Sequence, residues 1–172
     1  YGIVYIKRSE GTFINDKYSR NMLDPLLYGI LLQKDFAKDI ILLRKVVDTG
    51  IIHHVMNTVT QQQLHILQKH LHRIKELLVP PIDRDALLAA DIDFHTQITD
   101  FAHNEMLSGI YTYVDRITRP SRKKAIQIIL EENKVKEFFE LHQKIFIAIM
   151  QKQFTQIEDI LTNHYQFWER TI

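Results

Sequence analysis

The chain has 172 residues and a formal net charge of +1, with 45% hydrophobic and 25% charged residues. These are the proportions of one soluble folded domain with room for a real core. Near-neutrality excludes the basic signature of a general nucleic-acid binder, and the lack of cysteine excludes disulfides, thiolate ligands and cysteine nucleophiles.

Only five glycines and four prolines punctuate the sequence, so its elements are long and the predicted class is all-α. No run reaches the length of a transmembrane helix, and the opening YGIVYIKRSEG does not read as a signal peptide. A cytoplasmic protein without a membrane partner is expected. Residues 1–14 stand apart. Ile3 to Ile6 are β-formers, Lys7-Arg8-Ser9-Glu10-Gly11 is a turn, and Thr12-Phe13-Ile14 resumes an extended pattern, which predicts a β-hairpin. Lys7 and Arg8 at its tip are candidate contacts for DNA phosphates. Residues 15–23 form a polar linker.

From Asp24-Pro25, a cap followed by proline at the first helical position, residues 24–172 read as helical. A short helix over Leu26–Leu32 is followed by a long one over 36–57, with Ile40, Leu43, Val47, Ile51 and Val55 in its stripe and Arg44 on the edge. Thr60 caps the next helix, whose stripe is Leu64, Leu67, Leu71, Ile74 and Leu78 and which Pro80-Pro81 closes near Val79. Asp83 or Asp85 opens a helix carrying Asp91 and His95. Asn104 reads as the cap of another that runs towards Pro120 with Leu107, Ile110, Tyr111, Val114 and Ile117 facing in. The cluster Arg116, Arg119, Arg122, Lys123 and Lys124 falls at its end, where positive charge suits the helix dipole. Residues 125–133 are either a helical extension or a loop. Two amphipathic helices follow, over 134–152 and 154–170.

Of the nine histidines, His53, His54, His65, His70 and His72 lie among Gln, Lys and Arg, where a solvated imidazole is ordinary. Three others replace an apolar residue on a core face. His95 lies one turn after Asp91 on the same face, whereas Asp93 is rotated outward. His142 and His164 occupy the stripes of the last two helices, each 11 residues from residue 153. In an antiparallel hairpin the two imidazoles stand at equal height, roughly 16 Å from the turn. Three facing helices thus contribute Asp91, His95, His142 and His164. A carboxylate facing a core is costly unless paired or bound to metal. One carboxylate and three imidazoles suit a divalent transition ion, Zn²⁺ or Ni²⁺ first and Mn²⁺ or Fe²⁺ next. An octahedral ion so held keeps two positions for water or a bidentate carboxylate.

These residues resemble the GntR family of bacterial transcription regulators, in the FadR-type branch with the FCD effector domain. Asp91-x-x-Phe94-His95, Asn104 a short way on, and His142 and His164 in the last two helices are similar to that domain's metal motif. Ile40-Ile41-Leu42-Leu43-Arg44 resembles its early helix, where a glutamate commonly precedes the arginine, and Leu43 departs from this. Ser9-Glu10-Gly11-Thr12-Phe13-Ile14 is similar to the wing closing a winged helix-turn-helix. The resemblance implies an antiparallel bundle of six to seven helices preceded by the wing of a DNA-binding domain whose recognition helix lies outside these residues. It also implies a homodimer whose binding to operator DNA responds to a small carboxylate, a sugar acid or other organic acid, docked on the metal. Arg44, Arg119 and Asn104 are the candidate effector contacts. The alternative is a metal-dependent all-α hydrolase or oxygenase using the same four ligands. No Glu, Asp or Lys shares their stripes as a general base, since Glu137 and Glu140 fall off the His142 face.

Overall fold

The computed structural model describes residues 3–16 and 36–171, in two compact units meeting near residue 37. The first holds the hairpin. Strands β1 (Val4–Lys7) and β2 (Gly11–Ile14) are antiparallel, pairing Val4 with Ile14 and Lys7 with Gly11. The turn is closed by left-handed Ser9, φ 66°, and by Gly11 at φ 116°, a backbone state open mainly to glycine. Tyr5 and Phe13 stack across the strands at 5.6 Å. The linker beyond Asp16 and the helix expected over Leu26–Leu32 lie outside the described residues.

The second unit contains the bundle. Its helices are α1 (Phe36–Thr58), α2 (Gln61–Glu76), α3 (Arg84–Asp100), α4 (Glu105–Glu131), α5 (Val135–Gln151), α6 (Ile157–His164) and α7 (Gln166–Glu169). Helix α3 packs between α2 and α4, α5 packs on α2 and α6, and α7 lies on α4. The helix starts follow local chemistry. Thr60 and Gln63 form a reciprocal capping box on α2, with the Gln63 amide donating to Thr60 Oγ1 at 3.2 Å and the Thr60 amide donating to Gln63 Oε1 at 2.8 Å. Asp83, not Asp85, caps α3 by accepting from the amides of Asp85 and Ala86. Left-handed Lys152, φ 53°, ends α5 and turns the chain back into α6. Leu64, Leu67, Leu71 and Ile74 of the expected α2 stripe are buried, whereas the helix ends at Glu76 and Leu78 lies half-buried beyond it.

Three expectations are corrected. Helix α1 is rotated about its axis, so its inward face is Ile40, Ile41, Arg44, Asp48, Ile51, Ile52, Val55 and Met56, while Leu43 is exposed. A stripe counted from apolar residues alone misses Arg44 and Asp48, which neutralise each other one turn apart. Helix α4 does not stop at Pro120 but continues to Glu131, so residues 125–131 are helical. Pro120 is on the exposed face, and the buried side chains on either side of it (Ile117, Thr118, Arg122 and Ala125) hold the turn in place. The final helix breaks at Tyr165. An unbroken helix would turn Tyr165 about 100° away from His164. On the two sides of the break His164 and Tyr165 are both buried, as are Phe167 and Trp168.

Removing the capping box tests this reading of α2. Thr60→Ala should cost about 1 kcal/mol and lower the thermal midpoint, followed by circular dichroism, by about 2–4 °C.

Candidate metal centre

Asp91 and His95 stand one turn apart on α3, His142 is on α5, and His164 is the last residue of α6. All four are buried, and one donor atom from each lies within 4.8 Å of every other. The rings face one another, with centroids 5.4 Å apart for His95 and His142, 4.9 Å for His95 and His164, and 4.7 Å for His142 and His164. Two donors on opposite sides of an ion at ~2.1 Å are ~4.2 Å apart, close to the 4.8 Å bound on the donor separations here. Asp93 points to solvent, as its helical phase requires.

Hydrogen-bond accounting favours a cation at this point. His142 Nδ1 is 2.8 Å from the carbonyl oxygen of Phe138, which can only accept, so Nδ1 carries the proton. The Nε2 lone pair of a neutral His142 then faces Asp91 Oδ1 at 2.7 Å, another acceptor. Two lone pairs at that separation repel unless a proton or a metal ion lies between them. His95 Nε2 is 3.8 Å from the same oxygen and, like His164 Nδ1, has no hydrogen-bond partner although buried. Burial first, then the neighbouring imidazoles, push His95 and His164 well below the ordinary histidine range and keep them neutral, the form that ligates metal. Burial acts to raise Asp91, but the neighbouring Arg122 guanidinium outweighs it and holds the carboxyl far below its usual range. Orphaned donors, neutral imidazoles and an ionised carboxylate fit a divalent ion.

A second polar layer adjoins the first. Arg44, fully buried, donates from Nε to Asp48 Oδ2 at 3.2 Å and to the Tyr165 hydroxyl at 3.3 Å. Its Nη1 donates to Asp115 Oδ1 at 3.3 Å and Thr118 Oγ1 at 3.2 Å, and its Nη2 to the Tyr111 hydroxyl at 2.6 Å. The Tyr165 hydroxyl donates to Asp48. Burial pushes the Tyr111 phenol up to about 12, and it raises Tyr165 as well, so both stay neutral. Arg122 places Nε 3.2 Å from Asp91 Oδ2 and Nη1 3.4 Å from Asp115 Oδ1. These are ion-pair distances, but neither N–H is aligned on an acceptor.

The other sequence candidates lie elsewhere. Arg119 has a side chain 60% exposed and donates to Asp115 Oδ2 at 3.3 Å, outside the buried layer. The Asn104 side chain caps α4 by accepting from the Leu107 amide at 3.0 Å. Lys7 and Arg8 are exposed on the hairpin, Lys7 pairing with Glu10 at 3.3 Å. Arg122 and Asp115 were missed. Their signal is the spacing of Tyr111, Asp115, Thr118 and Arg122, one stripe of polar residues at helical period through Pro120.

The helices form an all-α bundle in whose interior a carboxylate and three imidazoles converge, a cluster that could hold a metal ion. Residues 39–167 match the FCD domain. The chain belongs to the FCD domain family, among GntR-type transcription regulators and not enzymes. It is 24% identical over 178 residues to the HTH-type transcriptional regulator LutR of Bacillus subtilis (strain 168), covering 96% of this chain and 80% of LutR. The solved structure of Streptococcus agalactiae GntR shares its fold, with a TM-score of 0.65 and 21% identity over 99% of this chain and 76% of that one.

The two arginines that donate hydrogen bonds to Asp115, Arg44 and Arg119, should differ sharply in worth. Arg44→Ala strands buried carboxylates and should cost about 3–5 kcal/mol, whereas Arg119→Ala removes an exposed pair worth about 1 kcal/mol or less. Urea unfolding of the two variants measures the contrast.

Proposed function

We propose that the helical domain binds one divalent transition-metal ion through Asp91, His95, His142 and His164, and that a small carboxylate, a sugar acid or other organic acid, docks on that ion. Zn²⁺ or Ni²⁺ suits three imidazoles and one carboxylate best, Mn²⁺ or Fe²⁺ next. The observation that carries the reading is His142 set between two acceptors, the Phe138 carbonyl 2.8 Å from Nδ1 and Asp91 Oδ1 2.7 Å from Nε2, an arrangement that needs a positive centre. When bound, the ion supplies electrostatic attraction for a carboxylate. The chain's own part is to exclude water and hold cations beside that carboxylate. Arg44 is the effector contact retained from the sequence, and Arg122, next to Asp91, joins it. Arg119 and Asn104 are placed outside the buried layer.

In this reading the protein is a ligand-responsive transcription regulator of the cytoplasm. Effector binding changes how a homodimer presents winged-helix domains to operator DNA. The domain division goes with it: residues 1–14 as the wing, with Lys7 and Arg8 at its phosphate-contacting tip, 15–23 as linker, and 24–172 as the sensing domain. Support comes from the FCD match, from the regulator LutR as a relative, and from the hairpin's own geometry. The outer face of α1 leaves Leu42, Leu43 and Val46 exposed, an apolar strip suited to a second copy. Among the described residues no helix is long and apolar enough to cross a membrane.

Elemental analysis tests the centre directly. The protein should carry close to one ion per chain, and His142→Ala and His164→Ala should each lose it while Asp93→Ala keeps it. Stoichiometric metal retained by both histidine variants would refute the ligand assignment.

A further inference from the structure

The buried layer fixes a charge balance. Among the described residues, the buried ionised groups are two guanidiniums, Arg44 and Arg122, and three carboxylates, Asp48, Asp91 and Asp115. Imidazoles acting as metal ligands are neutral, and the phenols of Tyr111 and Tyr165 are neutral too. Two positive charges against three negative leave one net negative charge, and a divalent ion converts this to one net positive charge. A buried excess charge is expensive, and so is overshooting it. Arg119, on the outer oxygen of Asp115, is 60% exposed and balanced by water.

Geometry points the same way. Asp115 Oδ1 lies between the two guanidiniums, 3.3 Å from Arg44 Nη1 and 3.4 Å from Arg122 Nη1. It engages guanidinium nitrogens that a second effector carboxylate would otherwise meet. Arg122 Nε and Nη1 are buried with no N–H aligned on an acceptor, although Asp91 Oδ2 and Asp115 Oδ1 stand at 3.2 and 3.4 Å, so a carboxylate beside the ion competes with these two for the same guanidinium.

We infer that the site is built for a singly charged carboxylate, and that Asp115, lodged between Arg44 and Arg122, is the specificity-determining residue that rejects dianions. The inference rests on the metal-and-carboxylate reading above. Asp115 touches neither the effector nor the ion; it occupies charge that a dianion would otherwise claim. Asp48, on the far side of Arg44, contributes to the same limit.

Calorimetric titration of the zinc-loaded full chain provides the test, with two matched pairs as probes: 2-hydroxybutyrate against malate, and gluconate against glucarate. The monoanion of at least one pair should bind at least about tenfold more tightly than its dianion. Asp115→Asn, or Asp48→Asn should the first fail to melt cooperatively, should move that ratio towards the dianion by a similar factor. A dianion bound as tightly as its monoanion by the wild type, or an unchanged ratio in a folded variant, overturns the inference and leaves the carboxylate site standing. No binding of any probe to the metal-loaded protein overturns the carboxylate reading and this inference together.

Discussion

A carboxylate inside a helical bundle survives only where positive charge meets it, and Asp91 sets this requirement for the whole interior. Its side chain is 4% exposed, with Arg122 Nε 3.2 Å from one oxygen and His142 Nε2 2.7 Å from the other. Meeting that need creates the next one. Arg122, 1% exposed, requires Asp115, and Asp115 brings in Arg44. Arg44 in turn requires Asp48, whose Oδ2 also accepts from Tyr165. Charges thus alternate from α3 through α4 to α1 and end beside His164. Such networks are worth having only when complete, because each partner removed leaves an unpaired buried charge.

The sequence discloses the start of this network and hides its continuation. Asp91, His95, His142 and His164 were legible because each interrupts an apolar stripe at a position its helical period assigns to the core. The equal spacing of His142 and His164 from residue 153 also anticipated their meeting, with ring centroids 4.7 Å apart. Arg122 and Asp115 were not legible because a charged residue is ordinarily solvated, and because Pro120 reads as a helix terminator. The proline is tolerated on the exposed face of α4, so the polar stripe on its buried face continues past it. The same prior placed Arg44 on the edge of α1, although it is fully buried. Apolar periodicity alone cannot register a helix whose central face is a salt bridge.

The break after α6 was invisible for a related reason. Ile157, Leu161, His164 and Trp168 keep helical period, and nothing in Tyr165 or Gln166 is a helix breaker. The break coincides with tertiary packing: Tyr165, Phe167 and Trp168 are all buried immediately after it. Burying Tyr165, Phe167 and Trp168 together more than offsets one interrupted turn, since each aromatic brings a large apolar area.

That break also bears on how the proposed sensing works. His164 belongs to the ring cluster, while its chain neighbour Tyr165 donates to Asp48 and accepts from Arg44, both on α1. One peptide unit therefore separates a proposed metal ligand from the buried charges of α1. Close-packed interiors shift between discrete arrangements and do not stretch continuously. In the proposed reading, a backbone displacement at His164 would move Tyr165 too, and the Asp48–Arg44 pair would then have to follow or lose a buried hydrogen bond costing about 1–3 kcal/mol. In the same reading, effector contact at Arg44 would act on this pair from the other side. Metal, carboxylate and α1 would be coupled through these few shared charges, without a longer path through the fold.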